Sequence, residues 1–253
     1  DISEIVSAQR SQAWGEVARR LAHEIKNPLT PIQLSAERLE MKLSGKVAPP
    51  EQAILTKSVK TIVDQVDAMK RLVNEFRDYA RLPAAELQVL DLNALVTEVQ
   101  HLYDIESEGE VAAPHVPVVL DLDPRAPPIM GDAQQLRQVV HNLLQNAQDA
   151  TESAGEVEGE RSVILRTQWV EKAKRVRLSV LDRGTGFPDN ILARAFEPYV
   201  TTKAKGTGLG LAVVKKIADE HGTRVDIANR LEDGKVRGAQ VSLSLGIAVS
   251  ATT

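Results

Sequence analysis

The 253-residue chain contains no cysteine, which excludes disulfides, thiolate metal sites and a cysteine nucleophile together. That absence suits a reducing compartment. Aromatics are scarce as well: Phe, Trp and Tyr make up 3% of the residues, so any core must be aliphatic. No apolar run approaches the roughly 18 residues of a spanning helix, and no signal-peptide pattern opens the chain. A net charge of −4, spread without tracts, gives no reason to expect nucleic acid as a partner. What is present, 43% hydrophobic and 26% charged, suffices for one or two domains with buried cores. The first residue is Asp1 rather than Met, and the expectation is a fragment whose preceding part carries a membrane segment.

Glycine is unevenly spread: only Gly15 and Gly45 of the 15 fall within residues 1–83. In that half, Leu55, Val59, Ile62, Val66, Met69, Val73, Phe76 and Ala80 recur at alternating steps of four and three. Such a seam is coiled-coil-like. Trp14, Ala18, Leu21 and Ile25 begin a similar stripe, continued less regularly by Ile32, Ala36, Leu39 and Leu43. The breaker-rich stretch 44–50 separates the two. The reading is an antiparallel helical hairpin. Two helices cannot close a core alone, so the hairpin is expected to dimerise into a four-helix bundle.

Pro83 ends this pattern, dividing the chain into domains 1–83 and 84–253. Beyond it, β-branched alternation predicts strands at 118–123, 162–170, 175–181, 224–228 and 239–245. Helices are predicted at 92–103, 132–151 and 207–221, with Asp132 as an N-cap. The fold class is therefore α+β with two domains, the second an α/β sandwich.

Four segments of the second domain carry chemistry. Asn142, Asn146 and Asp149 stand at i, i+4 and i+7, on one helical face. Asn is a poor helix former, so a polar stripe built from it is an unusual choice for mere solvation. Asp182-Arg-Gly184-Thr-Gly186 follows a strand, where a carboxylate can accept from an exocyclic amine and the glycines let the backbone pass close. Phe196-Glu-Pro-Tyr199 and Thr201-Thr202-Lys203 come next. Then Gly206-Thr207-Gly208-Leu209-Gly210 opens a helix, whose N-terminal amides suit an anion.

Their order resembles the GHKL (Bergerat-type) ATP-binding domain shared by sensor histidine kinases, gyrase and MutL. The resemblance implies that Asp182 binds the adenine amine within a pocket shaped by Gly184 and Gly186. It also implies that Asn146 ligates Mg²⁺ with Asn142 nearby, and that Gly206, Thr207, Gly208, Leu209 and Gly210 receive the phosphates of ATP. Residues 191–205 would form a short lid, in which Lys203 and Lys205 are phosphate partners as point charges. The ATPases of this superfamily carry a Glu base for water where this chain has Asn142, which disfavours hydrolysis and points to a kinase.

Of the five histidines, His101, His115, His141 and His221 have structural readings; His221 sits in a last helical turn, where a cation suits the dipole. His23 differs. It lies in His23-Glu24-Ile-Lys-Asn27-Pro28-Leu-Thr-Pro31, where Glu24 can accept the Nδ1 proton while Nε2 attacks. Asn27, one turn on, can orient a water for dephosphorylation. Pro28 and Pro31 are costly within a helix unless a bend there is useful. This segment resembles the H-box of the HisKA sensor kinases, and the whole chain is similar to NtrY-type nitrogen-regulation sensors. Tyr199 replaces a more usual Phe, and Arg183 stands where Asn or Thr is more usual.

The resemblance implies a homodimeric protein-histidine kinase that autophosphorylates His23 and passes the phosphoryl group to an NtrX-like response-regulator receiver domain. It implies the cytoplasmic portion of a bacterial inner-membrane protein. The alternatives are a GHKL ATPase and a nucleotide-binding signalling scaffold or phosphatase with weak kinase activity.

Overall fold

The computed structural model describes residues 2–108, 116–154, 161–201, 203 and 206–248, with backbone alone for 2–17, 81 and 104–108. His115, Thr202 and Lys205 lie outside the described residues. The chain divides into two compact units: Asp1–Pro83 with Lys203–Leu209, and Ala84–Thr202 with Gly210–Thr253.

The first unit is a pair of long helices, α1 (Ile2–Leu43) and α2 (Pro49–Arg81). Their connection is built from the breakers seen in the sequence. Gly45 takes φ +73, and its N–H donates to Gln52 Oε1 at 2.9 Å. Pro49 and Pro50 open α2, where the missing N–H groups would have no helical partner anyway. Ala18, Ala22, Leu29 and Ala36 of α1 are buried, as are Val59, Val66, Val73 and Ala80 of α2. The α2 stripe is thus split. Its Val and Ala positions are buried in the hairpin, whereas Ile62 and Met69 remain exposed. Leu21, Ile32 and Leu39 of α1 are exposed too. Pro28 and Pro31 lie inside α1, which runs on through both without a break.

The second unit runs β1 (Gln88–Leu90), α3 (Leu92–Glu108), β2 (Val118–Leu122), β3 (Ile129–Gly131), α4 (Ala133–Ser153), β4 (Val163–Val170), β5 (Arg175–Leu181), α5 (Asp189–Leu192), α6 (Gly210–Glu220), β6 (Val225–Glu232) and β7 (Lys235–Gly246). The main sheet has order β2-β4-β5-β7-β6; β2 and β4 are parallel and the other neighbours antiparallel. β1 and β3 pair separately. Helices α3, α4 and α6 pack against this sheet as a second layer. Leu136, Leu143 and Leu144 of α4 and Ile217 of α6 are fully buried, as are Leu165, Leu178, Leu243 and Leu245 of the sheet. Burying each such side chain stabilises the fold by about 1.5–3 kcal/mol, so an aliphatic core suffices without aromatics.

Sequence and structure differ at several edges. β6 and β7 extend toward each other beyond the predicted 224–228 and 239–245, joined at Asp233 (φ +52) and Gly234 (φ +73). That is the Asp-Gly signal of a tight hairpin. β1 and β3, three residues each, escaped prediction because they are too short to show alternation. The helix predicted from 207 begins at Gly210, the last of the glycine run.

Candidate functional site

α4 is the spine of the candidate nucleotide site. Asp132 caps it: its Oδ1 accepts from Gln134 and Gln135 N–H at 3.0 and 3.1 Å, and its Oδ2 from Glu86 N–H at 3.0 Å. Burial pushes this carboxyl up, but the three backbone donors outweigh it and hold it below its ordinary value. His221 fixes the same corner. Its Nδ1 faces the Ile217 carbonyl at 2.8 Å and its Nε2 accepts from Asp132 N–H at 2.9 Å. This bridging pattern is that of a neutral Nδ1–H imidazole, and it replaces the dipole role expected from its place in the helix.

Halfway along α4, Asn142 Nδ2 donates to the Gly210 carbonyl at 3.3 Å. Asn146 lies against the same residue: a Cβ on Gly210 would stand 3.3 Å from Asn146 Nδ2. The two asparagines therefore bracket the start of α6. Two turns further on, α4 meets the loop after β5. A Cβ on Gly184 would come within 2.8 Å of Ala150 Cβ and 2.9 Å of its carbonyl oxygen, so only glycine fits there without movement. Thr151, fully buried, donates to Ala147 O and accepts from Arg183 N–H at 3.2 Å.

Asp182, only 7% exposed, is held by its backbone and side chain alike. Its Oδ1 accepts from Gly184 N–H at 2.8 Å and from Ala239 N–H at 2.9 Å, which fixes the carboxylate plane. Gly186 (φ +73) faces Asn229 and Val236; a Cβ there would sit 2.5 Å from Val236 Cγ1. Asn142, Asn146 and Gly210 thus meet along α4, Gly184 packs on the same helix, and Asp182 and Gly186 lie in the same loop as Gly184, with Gly186 facing β6 and β7. Thr151, Asn229, Arg230 and Gly238 join them without any sequence motif to mark them. The Asp-Gly turn before Lys235 is the one signal that brings β6 and β7, and hence the last three, toward the loop.

Lys203 and Gly206–Leu209 belong to the first unit. Gly206 N–H donates to the Lys203 carbonyl at 3.1 Å, Gly208 takes φ +70, and Leu209 is fully buried. The Thr207 hydroxyl donates to the Glu75 carboxylate of α2 and accepts from Leu209 N–H at 3.3 Å. Tyr199, in the Phe-Glu-Pro-Tyr segment, is exposed and takes φ +66, an uncommon backbone region for a bulky side chain.

His23, Glu24 and Asn27 are all exposed on α1. Glu24 pairs with Arg20 one turn back, at 3.3 Å from Nε, rather than with His23. Between two exposed side chains such a pair is weak and leaves the carboxylate free to exchange partners. His141 is structural: its Nδ1 lies 3.0 Å from the Tyr103 hydroxyl of α3. Among the described residues, no group of three or more His, Cys, Asp or Glu is arranged to hold a metal ion, and no helix is long and apolar enough to cross a membrane.

Residues 131–248 match the family described as histidine kinase-, DNA gyrase B-, and HSP90-like ATPase, and residues 13–85 match the His Kinase A (phospho-acceptor) domain. With these two domains the chain belongs to the sensor histidine kinases. Within that class it is 40% identical over 97% of its length to nitrogen regulation protein NtrY of Azorhizobium caulinodans, of which it spans 30%. Among solved structures it is similar to full-length ShkA in complex with AMPPNP, with TM-score 0.64 and 27% identity over 93% of this chain and 47% of that one. It is also similar to histidine kinase ThkA in complex with response regulator protein TrrA, with TM-score 0.62 and 26% identity over 95% of this chain and 64% of that one.

Proposed function

We propose that the chain is the catalytic core of a dimeric, NtrY-type sensor kinase, comprising a phosphotransfer domain (1–83) and an ATP-binding domain (84–253). In this reading ATP bound by the second domain phosphorylates His23. Nε2 attacks the γ-phosphorus, the bond to the bridging oxygen breaks, ADP departs, and Glu24 takes the Nδ1 proton. The phosphoryl group then passes to an Asp of an NtrX-like receiver domain, and Asn27 serves water-mediated removal in the reverse direction.

The observation that carries the reading is the chemistry gathered where α4 meets the start of α6 and the loop after β5. Asp182, its plane set by two backbone donors, offers a carboxylate for the adenine amine. Gly184 and Gly186 let the loop that carries Asp182 pack directly on Ala150 and on Val236 and Asn229, while Asn142 and Asn146 bracket the α6 N-terminus, where backbone amides suit phosphate. The Asn146 side chain would hold Mg²⁺ through its amide oxygen, a hard donor that suits this cation. When bound, it would neutralise phosphate charge. At Asn142 an amide stands where hydrolysis would need a carboxylate, which favours transfer to an imidazole over transfer to water. The exposed Leu21, Ile32, Leu39, Ile62 and Met69 supply the apolar face that a second copy would cover. The name of the Azorhizobium relative supports placing the chain in nitrogen regulation; the reading puts it in the cytoplasmic portion of a bacterial inner-membrane sensor.

Incubation with γ-labelled ATP and Mg²⁺ tests this. The chain should take up acid-labile label that is lost in His23→Gln and that moves to an added receiver domain. Label retained by His23→Gln would refute the assignment.

A further inference from the structure

The loop between Asp182 and Phe187 is held from one side by α4 and from the other by β6. On the β6 side the contacts are unusually complete. Asn229 Nδ2 donates to the Phe187 carbonyl at 2.8 Å, and its Oδ1 accepts from Phe187 N–H at 2.8 Å. One side-chain amide thereby satisfies both backbone groups of a loop residue, as a neighbouring strand would. The next residue, Arg230, donates from Nη1 to the Asp182 carbonyl at 2.7 Å. Glu232 completes the set, accepting from Arg230 Nη2 at 3.2 Å and from Arg183 Nη1 at 3.0 Å.

Consecutive residues of a regular strand point to opposite faces, so Asn229 and Arg230 would not normally serve one loop. The strand is irregular here. Asn229 pairs with Ala239, but Leu231 pairs with Val236, so Arg237 and Gly238 of β7 together oppose Arg230. That is a β-bulge, a device that re-aims side chains. Its glycine, at φ +134, packs so closely on the Asp182 carbonyl that a Cβ would stand 2.0 Å from the oxygen. The bulge, the amide and the guanidinium all converge on the two ends of the loop.

We propose that Asn229 and Arg230 are positioning residues for the nucleotide base, clamping Asp182 and Phe187 so that the loop is already ordered before adenine arrives. The inference rests on the adenine-nucleotide reading above. Neither side chain needs to touch the nucleotide. A loop that is only partly populated in its binding form lowers apparent affinity by that fraction, and the clamp removes this penalty for the base alone. The phosphates, gathered at the start of α6, should be indifferent to it.

The test compares ADP and inorganic tripolyphosphate, each with Mg²⁺, as calorimetric ligands of the full chain. Wild type is compared with Asn229→Ala, Asn229→Asp, Arg230→Met and Arg230→Lys. One net hydrogen bond corresponds to about a fivefold change, so Arg230→Met should weaken ADP binding about fivefold and Asn229→Ala more than tenfold. Asn229→Asp, which keeps the acceptor for Phe187 N–H but loses the donor, should fall between. Arg230→Lys should recover part of the loss, and tripolyphosphate affinity should stay at the wild-type value throughout. Unchanged ADP affinity in Arg230→Met and Asn229→Asp would overturn the inference, as would a parallel loss of ADP and tripolyphosphate binding, which marks general support of the fold. Should Asn229→Ala fail to fold, the other three variants decide. Wild-type protein that binds tripolyphosphate but not ADP would instead refute the adenine reading itself, and the inference with it.

Discussion

Gly238→Ala is expected to be the most damaging single-methyl change in the ATP-binding unit. At φ +134 an L-residue is strained, which costs about 1–3 kcal/mol. The added Cβ would also meet the Asp182 carbonyl oxygen at 2.0 Å. Even close carbon–oxygen contacts sit at about 3.3–3.6 Å, so β7 must retreat by more than 1 Å. That retreat stretches two bonds between the same residues, Asp182 N–H to Ala239 O and Ala239 N–H to Asp182 Oδ1, both 2.9 Å. Losing them adds about 2 kcal/mol at roughly 1 kcal/mol each. A total near 3–5 kcal/mol, at about 2–4 °C per kcal/mol for a unit of this size, lowers its Tm by roughly 10 °C. Gly222→Ala is the matched control. Gly222 also has positive φ (+58), but nothing lies within 4 Å of its added Cβ. Its cost is the left-handed backbone alone, about 1–2 kcal/mol. Differential scanning calorimetry of both variants of the 253-residue chain, with ADP titrated into each, reads the difference. Equal Tm shifts for the two, or undiminished ADP affinity in Gly238→Ala, would refute the reasoning that β7 sets the Asp182 carboxylate.

Other expectations follow from the same geometry. Asp132→Ala removes the cap of α4 and orphans Glu86 N–H, lowering stability by about 1–2 kcal/mol in a chemical denaturation series. Because the folded carboxyl of Asp132 lies below its ordinary value of 3.8, its charge contributes stability that is present above that pH and lost as pH falls through the folded value. Asp132→Asn, keeping one acceptor without the charge, should therefore show a shallower acid limb; an unchanged limb would contradict this. Asn146→Ala should weaken Mg²⁺-dependent ATP binding while leaving metal-free ADP binding close to wild type, which equilibrium dialysis with and without Mg²⁺ distinguishes.

Much of this was legible in the sequence where a physical period or a strained backbone demands particular residues. The α2 seam announced a long helix because Val59, Val66, Val73 and Ala80 must share one face to be buried, as they are. Asp132 announced the start of α4 because few residues can satisfy its first amides. The glycine motifs were visible because close approach excludes side chains: Gly184 abuts Ala150, and Gly186 abuts Val236 and Asn229. The supporting residues were not visible, for an equally physical reason. Asn229, Arg230 and Gly238 act through a one-residue slip between β6 and β7, and register between strands leaves no local periodicity to read. Likewise the Arg20–Glu24 pair competes with the expected Glu24–His23 partnership, because i,i+4 neighbours on a helix meet more readily than adjacent residues. The role of His221 depends on Asp132, 89 residues away in sequence, and only the fold brings them within reach.

In the proposed reaction the γ-phosphoryl group of ATP ends on one imidazole, that of His23. Residue-resolved mass spectrometry of the full chain after incubation with ATP and Mg²⁺, with samples kept at neutral to alkaline pH, tests it directly. A single phosphorylated segment carrying His23 is expected, absent when Asp182→Asn disables the base pocket. Phosphate found on another residue, or released entirely to solvent with His23 unmodified, would contradict it.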